Sequence, residues 1–328
     1  MKKLKNLLTI AVILSTAAIC VHANSAVVGE YTPLTSLETI QRADGRRVSN
    51  ISGVTYIDGG YVTIQNGGGR LIWRSDLADV STNLRRETNA LNNCRDIEGI
   101  LNVNGQLFLA DEGNPAVIYN VDHPAVLKNC RDALSSFTLS GMDAGDNRGI
   151  EGLSQLLESD GGAMIAVKQS NPEKIVHFNY TGLEDNYDTS ELFPILGGCS
   201  DLGDVTVNPT SGNVLIICKN LKIVQEYTVT GVLVSTLDIS EFRQAEGLVF
   251  GPNEELVIVG EANEVRVFTI DGNPVDPVDP VDPVLETCTI SGTIENVDID
   301  SPIIAGTLDV VCPSLSGTIT VNTPVGAQ

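Results

Sequence analysis

Basic residues are scarce in this 328-residue sequence: 20 Lys and Arg face 42 Asp and Glu, for a formal net charge of −22. No cationic surplus exists to displace the counterions of a phosphate backbone, so nucleic acid is excluded as a partner. Histidine is nearly absent, with three in the chain, which disfavours zinc and narrows the choice of a general base. No C-x-x-C pair occurs, against a metal-thiolate site. The G-x-S-x-G elbow, the H-E-x-x-H metalloprotease helix and the phosphate loop are also missing, so the common hydrolase and nucleotide signatures do not apply. Long hydrophobic runs are lacking too. The longest, Leu7 to Cys20, has 14 residues, short of the ~18 needed for a spanning helix, so no transmembrane segment is expected.

That run has the layout of an export signal. Lys2, Lys3 and Lys5 precede it and Val21-His22-Ala23 supplies a small-residue cleavage site, so residues 1–23 read as a signal peptide and the mature chain starts at Asn24. The expected location is periplasmic, cell-surface or secreted. The mature part then holds 17 basic and 42 acidic residues, or −25, a balance that attracts metal cations. Beyond Cys20 six cysteines remain: Cys94, Cys130, Cys199, Cys218, Cys288 and Cys312. An even number in an exported chain suggests disulfides. Pairing of nearest neighbours, 94–130, 199–218 and 288–312, has the lowest loop-closure cost of the possible connectivities.

The composition, 42% apolar and 19% charged with 31 Gly and 14 Pro, describes a folded protein of many short strands and tight turns. Its architecture is set by repetition. Asn50-Ile-Ser-Gly-Val-Thr-Tyr56, Asp96-Ile-Glu-Gly-Ile100, Gly149-Ile-Glu-Gly-Leu153, Asp201-Leu-Gly-Asp-Val205 and Gln244-Ala-Glu-Gly-Leu248 recur at intervals of 46, 53, 52 and 43 residues. That is the length of one four-stranded propeller blade. Each motif is followed by a turn, an apolar run, a polar cluster and another alternating run. The expectation is an all-β, five-bladed β-propeller over residues 24–272, with six blades as the alternative. Tyr31 to Ile40 precedes the first motif and is expected to supply the outer strand of the last blade, closing the ring. Residues 273–284 repeat Pro-Val-Asp and read as an extended linker. Residues 285–328 read as a small β-type tail containing Cys288 and Cys312.

These segments resemble the SdiA-regulated family, exported bacterial proteins similar to NHL-repeat propellers. The resemblance covers about residues 30–270. It rests on the opening Asn-Ile-Ser-Gly-Val-Thr-Tyr, the repeated Ile-Glu-Gly-apolar motif, Ala245-Glu-Gly-Leu-Val-Phe250, and the second-strand segments Leu107-Phe-Leu-Ala-Asp-Glu112 and Leu256-Val-Ile-Val-Gly-Glu261. It implies a five-bladed propeller that binds calcium at an acidic site, with no established activity. The fourth repeat departs from the pattern: Gly203-Asp204 stands where the others have Ser-Gly or Glu-Gly.

The motif is expected on the innermost strand of each blade, so equivalent positions converge at one mouth of the central channel. Glu98, Glu151 and Glu246 are the first-rank metal ligands, with Asp204 one residue out of register. Asp96 and Asp201, two residues earlier on the same face, are second-rank, as are Glu112 and Glu261, which follow second strands. Calcium suits such a site because it accepts ~6–8 oxygen ligands with tolerant geometry. The competing reading makes Ser-Gly and Glu-Gly bulge features that serve the backbone. Lys168 places a cation near these acids, as a salt-bridge partner or as a contact for an anionic ligand. The function that follows is an exported calcium-binding propeller offering a face to an unidentified protein or small molecule. The alternative is a calcium-dependent hydrolase of esters, lactones or phosphates using the same carboxylates.

Overall fold

The second strand of each repeat is buried along almost its whole length. Val214–Cys218 and Leu256–Gly260 are buried at every position, as a strand covered on both faces requires. In the computed structural model this happens because five small sheets stand around a common axis and each is sandwiched between two others. The structure describes residues 26–67, 69–77, 84–91, 94, 96–113, 115–129, 132–142, 149–170 and 172–270, and the backbone of three strands between 289 and 324.

Blade 1 is Ile51–Ile57, Gly60–Gln65, Arg70–Arg74 and Leu84–Thr88, an antiparallel meander. Blade 2 is Ile97–Val103, Gln106–Asp111, Val117–Val121 and Ser135–Leu139, with Asn186–Tyr187 added parallel to its outer strand. Blade 3 is Ile150–Gln155, Met164–Lys168, Lys174–Phe178 and the short Ser190–Glu191. Blade 4 is Leu202–Val207, Val214–Cys218, Ile223–Tyr227 and Leu233–Asp238. Blade 5 is Ala245–Phe250, Leu256–Gly260 and Glu264–Thr269. Its outer edge is made by the N-terminal strands Thr32–Pro33 and Glu38–Thr39, both antiparallel to Glu264–Thr269. The ring therefore has five blades rather than six, and it closes through the segment expected to close it.

The core is divided in the same way. Five buried apolar clusters each join two neighbouring blades, and side chains alternate between them with the period of a strand. Leu215 and Ile217 face blade 5, while Val214, Ile216 and Cys218 face blade 3. Val257 and Val259 face blade 1, and Leu256 and Ile258 face blade 4. Phe108 and Ala110 pack toward blade 3, and Leu107 and Leu109 toward blade 1.

Local sequence sets the turns. Asp58-Gly59 and Asn104-Gly105 have positive φ at both residues (47° and 68°, 51° and 86°) and join strands paired as Ile57↔Gly60 and Val103↔Gln106. This is the two-residue hairpin geometry that Asp-Gly and Asn-Gly favour.

A second compact unit begins at Asp276. Its strands Thr289–Thr293, Ile303–Cys312 and Leu315–Pro324 form a three-stranded antiparallel sheet. The expected signal peptide and Pro-Val-Asp linker, Cys130, Cys288 and the side chain of Cys312 lie outside the described residues.

Candidate functional site at one mouth of the channel

Every innermost strand has a break in register at its motif, between Ile51 and Gly53, Ile97 and Gly99, Ile150 and Gly152, Leu202 and Val205, and Ala245 and Gly247. Such a bulge bends the strand and re-aims the extra side chain. The residues so presented are Ser52, Glu98, Glu151 and Glu246, with Gly203-Asp204 in blade 4. The bulge thus serves the backbone and at the same time re-aims these side chains. The glycines serve the ring itself. A Cβ on Gly99 would lie 3.1 Å from the Glu151 carbonyl oxygen, and one on Gly247 would lie 2.9 Å from the Gly53 Cα. Neighbouring inner strands approach too closely there for a side chain.

A second ring surrounds the first. Gln65, Asp111, Lys168, Cys218 and Gly260 pair with the second residues of the five motifs, and the residues that follow them are Asn66, Glu112, Gln169, Lys219 and Glu261. From this ring side chains reach the bulged glutamates of the next blade. The Asn66 amide donates to Glu98. Glu112 shares a hydrogen bond with Glu151. Lys219 Nζ donates to Glu246 Oε2 at 3.0 Å and to Glu151 Oε2 at 3.2 Å, with Asp201 Oδ1 3.8 Å away.

The mouth is consequently divided into two halves. In one, Lys219, itself only 7% exposed, pairs with both Glu151 and Glu246. Burial alone would depress its pKa, but Glu246, Glu151 and Asp201 together raise it, so it stays charged. In the other half, carboxylate oxygens of Asp96, Glu98 and Glu112 all lie within 4.8 Å of one another, with Glu98 and Glu112 buried. Burial, reinforced by repulsion from Glu151, Glu112, Asp96 and Glu246, pushes Glu98 up to about 10. Asp96 and Glu112 are raised by the same desolvation, and Glu151 stands well above its ordinary value. Glu246 rises to about 7, burial outweighing the attraction of Lys219. Buried carboxyls held this close take up protons or a cation.

Glu98, Glu151, Glu246, Asp96, Asp201 and Glu112 therefore all reach the mouth. Glu261 belongs to the outer ring by register, its N–H donating to the Gln244 carbonyl. Asp204 has a different environment. It is 1% exposed, and its oxygens accept the N–H groups of Val205 at 2.8 Å and Leu248 at 3.1 Å, together with that of Leu153. The carboxylate ties the inner strands of blades 3, 4 and 5, in the place where the other repeats have glycine. Burial raises its pKa against the pull of those amides.

Lys168 is buried in the second strand of blade 3, across from Ile150, and Lys219 makes ion pairs to Glu151 and Glu246. Alignment of the repeats just past each second strand would have exposed that lysine.

A disulfide links Cys199 to Cys218. Asp201 follows one cysteine by two residues and Lys219 follows the other by one, so the bridge steadies this part of the rim. Cys94, two residues before Asp96, is also disulfide-bonded.

No curated protein sequence matches the chain. Among solved structures it is similar to the glutaminyl cyclase of Myxococcus xanthus (10% identity, 73% of this chain and 95% of that one, TM-score 0.52). It is also similar to a glucose dehydrogenase (9%, 71% and 98%, TM-score 0.47) and a luciferin-regenerating enzyme (11%, 71% and 94%, TM-score 0.41). At such identity the likeness concerns the fold alone. The family model SdiA-regulated matches residues 39–269, from the last N-terminal closing strand to the end of blade 5, and the chain belongs to the SdiA-regulated family.

Proposed function

We propose that this chain is an exported calcium-binding propeller, with the cation held by Asp96, Glu98 and Glu112, and that it works as a binding module for a small molecule or protein. The observation that carries the reading is the triad of clustered carboxylates, two of them buried, on the half of the mouth away from the Lys219 ion pairs. The donor set fits a hard cation, because it is all oxygen. His123 and His177 belong to other surroundings, His123 pairing with Asp58 at 3.0 Å and His177 lying in the third strand of blade 3. When bound, calcium would supply a positive centre that polarises an oxygen of the ligand. The protein's own residues orient around it: Lys219 fixes Glu151 and Glu246, and Asp204 holds three inner strands in place.

The hydrolase reading would use Glu246, whose carboxyl burial raises to about 7, to move a proton at neutral pH.

The test is calorimetric titration of the EDTA-stripped mature protein with calcium. Saturable binding is expected, lost in Glu98→Gln and Asp96→Asn and largely retained in Glu246→Gln, whose carboxylate is engaged by Lys219. Absence of saturable binding in the native protein would overturn the metal site. Calcium-dependent turnover of an ester, lactone or phosphate, abolished by Glu246→Gln, would replace the binding module with the enzyme.

A further inference from the structure

Cations are rare in this chain, yet Lys219, Lys222 and Arg243 line one cavity of about 230 Å³ between blades 4 and 5, with Asp201 the sole acid among its described lining residues. Lys219 forms the inner wall and is committed to Glu151 and Glu246. The other two are weakly engaged. Lys222 sits at the tip of a turn with φ of 54°, and its Nζ donates to the Phe242 carbonyl at 3.2 Å, leaving two of its three donors over. Arg243 is 83% exposed, and its Nε is 3.7 Å from Glu264, beyond hydrogen-bond range. Ile239 and Phe242 give the cavity an apolar side, and Gln169 adds an amide.

The geometry points to this cavity as a binding site for a small organic anion, its carboxylate or phosphate held between Lys222 and Arg243 and its carbon skeleton against Ile239 and Phe242. An acidic protein repels anions at long range, so recognition requires a local concentration of donors of this kind. A planar guanidinium beside an ammonium provides both the fork and the point charge that such groups take. The volume lies below the ~300–1,000 Å³ common for drug-sized ligands, which selects a small metabolite-like anion. The site stands on residues apart from the carboxylate triad and requires no bound cation.

The experiment uses the EDTA-stripped full mature protein with two probes, succinate for carboxylates and inorganic phosphate for phosphates, in calorimetry and thermal unfolding. Saturable millimolar binding of at least one probe is expected, and the responding probe identifies the group recognised. The double variant Lys222→Met/Arg243→Met should weaken it about tenfold or more, which is about 1.4 kcal/mol. Arg46→Met, which removes an equally exposed charge elsewhere, should leave it unchanged. Unaltered calcium binding by the double variant would show that the fold and the triad are intact. Failure of both probes to bind, or equal weakening by Arg46→Met, would overturn the assignment.

Discussion

Replacing Glu98 by glutamine should make the metal-free protein more stable. The Glu98 carboxyl moves from 4.5 in the unfolded chain to about 10 in the folded one. The folded state therefore holds a proton that the unfolded state releases across that interval, and stability falls as pH rises through it. Between pH 4.5 and pH 7 the loss comes to about 3 kcal/mol, at about 1.4 kcal/mol per pH unit. Glutamine has the shape of the protonated acid and requires no proton uptake. Its carbonyl still accepts from Asn66, and its amide faces the oxygens of Asp96 and Glu112. Glu98→Gln should thus gain about 3 kcal/mol at pH 7 in EDTA, or about 6–12 °C in Tm for a domain of this size. The gain should shrink to nothing near pH 4.5. Calcium should invert the order: at a thousandfold excess over its Kd a ligand stabilises the native protein by about 4.1 kcal/mol, more than the variant's gain, and the variant has lost the site. Thermal and urea unfolding at stepped pH, with EDTA or calcium, measure all four conditions. A variant less stable than the native protein at pH 7 in EDTA, or a difference indifferent to pH, would refute the argument.

Lys219→Met should destabilise by about 3–5 kcal/mol at neutral pH, because it leaves two buried glutamates without their cation; acidification should restore part of the loss in urea titrations as those glutamates protonate. The Lys219 pKa is raised, so in the native protein its contribution should persist through neutral pH and fail only above the ordinary lysine range. Loss of the Cys199–Cys218 bridge, which spans 19 residues, should cost about 3 kcal/mol in Cys199→Ser/Cys218→Ser, and calorimetry should show calcium binding to Asp96, Glu98 and Glu112 surviving it. Gly152→Ala should prevent native folding, since its Cβ would lie 2.7 Å from the Asp204 Cα; a normal circular dichroism melt for this variant would contradict the close approach of the inner strands.

The inner and second strands were legible because their burial imposes a pattern: a bulge motif repeated at each mouth position, then an apolar run covered on both faces. Outer strands carry no such constraint. Ser190–Glu191 is two exposed residues, and Asn186–Tyr187 leaves its own repeat to join blade 2, a pairing that no local pattern announces. At the site, symmetry identified Glu98, Glu151 and Glu246, while the separation into a lysine-paired half and an uncompensated half depends on Lys219. That residue lies in a turn outside the motifs, and only alignment of the repeats just past each second strand marks it. Asp204 illustrates the opposite case: a one-residue exchange within a repeat, visible in the sequence, sends a carboxylate among backbone amides.

Thr32 meets Thr269 across 237 residues, so the earliest described strand of the chain completes its sheet only when the last blade exists. During synthesis the protein is an open arc with two unsatisfied ends, and no intermediate length closes it. Joining them couples every blade to every other, so the ring forms as one unit whose formation is slow by topology. A chain cut short of Glu264–Thr269 leaves bare strand edges. A chain cut after Thr269 still carries all five blades and the strands that clasp them.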